Sequence, residues 1–262
     1  MKEAQEKLEK AQKEGAVEKQ EEALRELEKA KKELEEILRQ LREEEEKRTL
    51  AQLEARFKKM LELQKAIYDT TIRLDKQVQD NGGKAPVELS LESVRLSSRE
   101  NDVLLEANKA LLLLREDGTA AAMTEALTTA AEDMDAVIKL FNQANVGMVN
   151  QTRQENIMAT LEELIDAVKR AQKDKDDKNK PKSKKQEGQM SEMESALVDA
   201  LAELRIIRSM QLRINKTTQR CKKLITGAAA ENPDVIQALD ELSTRQQRLQ
   251  QILRDISLGK NQ

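Results

Sequence analysis

The side chains in this sequence that could do chemistry are a set of cations, one thiol and a run of acids. Arg205, Arg208, Arg213, Lys216, Arg220, Lys222 and Lys223 follow one another with no acid between Glu203 and Glu231. On a helix turning about 100° per residue, all but Lys222 fall within an arc of about 140°, opposite Ile207, Met210, Ile214 and Cys221. Such a face can hold phosphates, lipid headgroups or an acidic helix. It also describes a solvated helix surface whose late cations complement the helix dipole, and that plainer reading is preferred. No aromatic side chain accompanies the cations, which disfavours single-stranded nucleic acid.

Cys221 stands between Arg220 and Lys222, neighbours that would favour the thiolate of an exposed cysteine. Its regular place on the apolar stripe favours a small buried thiol instead. The chain has no histidine, so it lacks both the usual base for a nucleophile and the commonest metal ligand. One cysteine in all excludes an intramolecular disulfide and a multi-cysteine metal site. Glu43 to Glu46 offers oxygens, but consecutive helical residues diverge, and a divalent cation needs them convergent. Asn81-Gly82-Gly83 is a turn and not a phosphate loop, because no Gly-Lys-Ser/Thr follows. These residues predict a non-enzymatic protein with no catalytic, cofactor-binding or metal site.

The elements that carry them are helices. Of 262 residues, 36% are charged and only Phe57, Tyr68 and Phe141 are aromatic, with three prolines and eight glycines. That is the composition of long helices and coiled coils rather than of a thick globular core. The net charge of -3 gives no global steering towards nucleic acid, and no apolar run approaches the ~20 residues that span a bilayer.

Arg48 to Gln79 carries the clearest pattern. Leu50, Leu53, Phe57, Met60, Ile67, Leu74 and Val78 lie on alternating three- and four-residue steps, with Gln64 and Thr71 interrupting the seam. An earlier heptad, Leu24, Leu27, Leu34, Leu38 and Leu41 with Lys31 in its core, is out of phase across Arg42 to Thr49. The expected arrangement puts Leu50 to Leu74 under later helices of the same chain. The seam towards a protein partner or a second copy is then Leu24, Leu27, Leu34, Leu38 and Leu41. Polar seam residues Lys31, Gln64, Thr71 and Gln246 could set register.

Gly82 ends the long helix and Pro86 delays the next. A second helix, about Pro86 to Glu116, carries Leu91, Val103, Leu104, Ala107, Leu111 and Leu114. A third runs from Thr119 to about Asn145. Thr152 and Glu155 read as a capping box opening the fourth. Lys173 to Gln189 has no apolar residue and reads as a flexible linker. Asn232-Pro233 opens the sixth helix, antiparallel to the fifth. The expected fold is all-α: residues 1–80 a long coiled-coil helix, 86–172 three helices packing on 48–80 as an antiparallel bundle, 173–189 a disordered charged linker, 190–259 a helical hairpin. The uncapped start reads either as the end of a longer coil or as a frayed terminus.

Glu35 to Gln64 (EEILRQLREEEEKRTLAQLEARFKKMLELQ), IIRSMQLRINKTTQR from Ile206 to Arg220 and the closing LGKNQ resemble an uncharacterised family of bacterial coiled-coil proteins. The resemblance implies longer, exported proteins with an N-terminal signal and a low-complexity linker before the final helices. It brings no activity and no site residues. The function expected from the whole reading is scaffolding through helix association, in the cell envelope if the family's export holds. The alternative is an adaptor for an anionic surface, with peripheral membrane contact, through the basic face of residues 205–223.

Overall fold

The computed structural model describes residues 2, 13–82, 87–117, 121–178, 189–225 and 233–258. Among these the all-α expectation holds: six α-helices and no strand. They are α1 Lys13–Asp80, α2 Val87–Asp117, α3 Ala121–Asn142, α4 Met148–Lys178, α5 Gln189–Leu224 and α6 Pro233–Ser257. The chain divides into two units, Met1–Thr49 and Leu50–Gln262.

In the second unit the heptad spacing of α1 becomes a core face. Leu53, Phe57, Met60, Gln64, Ile67, Thr71 and Leu74 are all buried, and Leu50 and Val78 partly so. An equally regular run on α2 faces it: Leu89, Ser93, Leu96, Glu100, Val103, Ala107, Ala110 and Leu114, every one buried. Leu91, expected on that stripe, is instead 58% exposed, because it stands two residues from both Leu89 and Ser93 and so points away from the seam. Hydrogen bonds give the directions. Arg56 reaches Glu106 at 2.6 Å and Gln64 reaches Glu100 at 3.1 Å, so α1 and α2 are antiparallel. Lys65 meets Glu162 at 2.9 Å while Tyr68 donates to Glu155 at 3.0 Å, so α4 also runs antiparallel to α1. With short connections on either side of α3, the four segments form an up-and-down bundle.

α3 fits between α2 and α4 because it is rich in alanine. Ala122, Ala126, Ala130 and Ala131 are buried beside Leu127, Met134, Val137 and Phe141, and small side chains let neighbouring backbones come close. Its end departs from the expected Asn145. Asn142 is the last helical residue, and the Asn145 amide donates to the Leu140 carbonyl at 2.9 Å while that of Ala144 donates to Phe141 at 2.9 Å. This pair of bonds is a Schellman cap, and its left-handed residue is Ala144 at φ 54°, not a glycine.

α4 begins at Met148, four residues before the expected capping box. The Asn145 side chain accepts from the Gly147 amide at 3.1 Å and organises the turn instead. Thr152 and Glu155 lie inside the helix and both face Arg220 of α5, whose guanidinium donates to Thr152 at 3.1 Å and to Glu155 at 2.8 Å. At its other end α4 stays helical through Lys178, into the stretch expected as linker from Lys173. Extending a formed helix is cheap where neither glycine nor proline intervenes. Residues 179–188 lie outside the described residues.

α5 and α6 are antiparallel and dock on α3 and α4. Ile206, Ile207, Met210 and Leu249 join the bundle core, while Cys221, Val235 and Leu242 form a small cluster of their own. Much of the docking is polar. Asp133 of α3, 3% exposed at its side chain, accepts from Arg153 of α4 at 2.8 Å and from Arg245 of α6 at 2.7 Å. Glu132 takes Arg248 at 2.7 Å through both oxygens. Arg213 and Ser209 of α5 share Glu163 of α4.

Candidate functional site

The first unit presents the residues expected to form an association seam. Leu24, Leu27, Leu34, Leu38 and Leu41 are 48% to 59% exposed, and Ile37 beside them is 54% exposed. All lie on one face of α1 before Thr49. Lys31, within that seam, extends to Glu35 at 3.7 Å. Further pairs such as Arg25–Glu21 at 3.6 Å and Arg39–Glu36 at 2.6 Å hold the other faces in solvent, each a small contribution at such exposure.

The basic face of α5 is split by the structure. Arg213 and Arg220, at one edge of the expected arc, turn onto α4 and pair with Glu163 and Glu155. Arg205, Arg208, Lys216 and Lys223 remain exposed, with no ion pair among the described residues. The free cations therefore span about 80° rather than about 140°.

Cys221 is 6% exposed against Val235 and Leu242. Burial pushes its thiol up, and the opposing cation is Arg153 rather than its sequence neighbours. A cavity of about 50 Å³ lies beside it, lined by Thr152, Arg153, Thr217, Arg220, Val235 and Leu242 among others. Glu43 to Glu46 lies along α1, with Glu43 reached by Arg39 at 3.8 Å. Among the described residues no group of three or more acidic, histidine or cysteine side chains could hold a metal ion, and no helix is long and apolar enough to cross a membrane.

Of the polar seam residues, Gln246 is exposed and exchanges two amide hydrogen bonds with Gln211 of α5, at 2.7 and 2.9 Å. Gln64 and Thr71 are fully buried. Thr71 accepts from Gln154 at 3.1 Å, Gln154 also donates to Asn150 at 2.8 Å, and Asn150 donates to the Asn145 carbonyl at 2.6 Å. Sequence reasoning missed the other buried polar residues at seam positions: Ser93 and Glu100 on α2, Asn150 and Gln154 on α4. The signal was the same three–four alternation, since Asn150, Gln154, Ile157, Leu161, Leu164 and Val168 keep it without a break.

Compared with protein-family models, with curated proteins and with solved structures, the chain gives no significant match.

Proposed function

We propose that the chain is a non-enzymatic scaffold that works by helix association, pairing with a second copy or a partner helix along Leu24, Leu27, Leu34, Leu38 and Leu41. The observation that carries this is their exposure on one heptad face, 48% or more for each. Complete burial of a leucine gains roughly 1.5–3 kcal/mol, and about half of that is still available at each of these positions. Lys31 in the seam restricts which register a partner can adopt. Light scattering tests the reading: the full chain gives a mass above one chain, and Leu27→Glu with Leu34→Glu returns it to one chain. A full chain that stays monomeric, and whose cross-linked pull-down from fractionated cells leaves residues 24–41 unlinked, refutes it. The same fractionation checks the cell-envelope location that the family resemblance implies.

A second reading, an adaptor for an anionic surface, is supported by the exposure of Arg205, Arg208, Lys216 and Lys223. Arg208→Glu with Lys216→Glu then abolishes salt-sensitive retention on anionic liposomes. Unchanged retention removes this reading.

A further inference from the structure

We infer that Glu100 of α2 and Gln64 of α1 form a neutral acid–amide pair in the bundle core, and that loss of the proton they share loosens the α1–α2 packing. Both residues are 0% exposed. Gln64 Nε2 donates to Glu100 Oε2 at 3.1 Å, while Gln64 Oε1 and Glu100 Oε1 are buried with no partner. An ionised carboxylate only accepts, so it would leave both of those oxygens unsatisfied. A protonated carboxyl supplies the one missing donor. Its O–H donated to Gln64 Oε1 closes a two-bond ring with the amide, the counterpart of the reciprocal bonds between Gln211 and Gln246.

The surroundings favour the same protonation state. On α1, Arg56 and Lys59 are drawn to Glu106, and Lys65 to Glu162. Tyr68 donates to Glu155, which also takes Arg220. On α2, Arg99 is exposed, and Lys109 pairs with Glu106. On α3, Asp135 and Lys139 pair with each other at 2.7 Å. On α4, Glu162 and Glu163 face Lys65 and Arg213. No cation among these faces Glu100. Burial pushes its carboxyl up to about 8, and the Gln64 amide opposes this.

The sign follows from linkage. A carboxyl raised from 4.5 to about 8 keeps its proton in the folded chain over a range where the unfolded chain has released it. The contribution to stability is complete below about pH 4.5, falls as pH rises, and is gone above about 8. Below that limit the pair is a polar clamp. Above it the core must hold an unpaired charge or open.

Carbon-13 NMR of the full chain labelled at glutamate carboxyls is the direct test, with the Glu100 resonance identified by its absence from Glu100→Gln. The expected resonance keeps its protonated position at pH 6 and titrates near pH 8. Titration complete below pH 6 overturns the inference. Thermal unfolding gives an independent readout. Relative to Glu100→Gln, which retains an amide–amide pair, the wild-type Tm falls by about 3 °C per pH unit between pH 5 and 8. Parallel Tm profiles for the two proteins overturn it as well.

Discussion

Asp133 receives arginines from two different helices, and at 3% side-chain exposure it has little water to fall back on. Burial works against the charge on Arg245, and Asp133, followed by Glu241 and Glu132, more than restores it. Removing one member of a buried pair leaves an uncompensated charge, so Asp133→Asn is expected to destabilise the chain by about 3 kcal/mol or more, read by urea unfolding. Replacing all three members by apolar residues, Asp133→Leu with Arg153→Met and Arg245→Met, removes the stranded charges along with the pairs. That triple variant is expected to be more stable than Asp133→Asn. Glu132, 4.0 Å from Arg245, keeps Arg248 at 2.7 Å, and Glu241 loses its 2.7 Å bond to Arg153 but is 29% exposed at its side chain and can be hydrated. A triple variant weaker than the single one would show that the network contributes net stability of its own.

At the scale of elements, two helix ends make opposite predictions from one backbone geometry. Gly82 closes α1 at φ 67° with nothing within 4 Å of where a Cβ would stand, so Gly82→Ala costs only the left-handed conformation, about 1 kcal/mol. Ala144 closes α3 at φ 54° and already bears that cost, so Ala144→Gly is expected to raise stability by up to about 1 kcal/mol, measured by the same unfolding. The first of these caps was legible in Asn81-Gly82. The second was not, because alanine carries no turn signal and tertiary packing imposes the conformation. The same contrast runs through the helices. The α1 seam was legible because Leu53, Phe57, Met60 and Ile67 are large and apolar at heptad positions. The α2 seam was legible in part: Val103, Ala107, Leu111 and Leu114 are buried and Leu104 partly so, but the register also passes through Ser93, Glu100 and Ala110, which carry little hydrophobic signal. The docking of α5 and α6 was illegible for another reason. Arg245 meets Asp133 across 112 positions of sequence, and nothing local to either residue announces the other.

The whole molecule changes character at Thr49, where its two units divide. Large apolar residues on either side share a spacing and differ in fate: Leu27 and Leu34 are 56% and 59% exposed, while Leu53 is 2% and Phe57 0%. Heptad pattern alone therefore does not say whether a seam is filled by its own chain. Burial does: within the second unit, α2 to α4 cover the part of α1 after Leu50. Substitutions in the two parts should separate cleanly. Phe57→Ala deletes a fully buried ring and is expected to cost about 3–5 kcal/mol in unfolding free energy, with no change in the mass measured by light scattering under native conditions. Leu27→Glu with Leu34→Glu should do the reverse, lowering the mass while the unfolding of the bundle, followed by near-ultraviolet circular dichroism of Tyr68, stays at its wild-type midpoint. Site-directed cross-linking provides the positional form of the same test. In a Cys221→Ser background, Leu27→Cys is expected to give a disulfide dimer and Ile67→Cys none, because Ile67 is 0% exposed beneath helices of its own chain. A dimer at Ile67 with none at Leu27 would place the intermolecular seam in the bundle and overturn the division of labour between the two units.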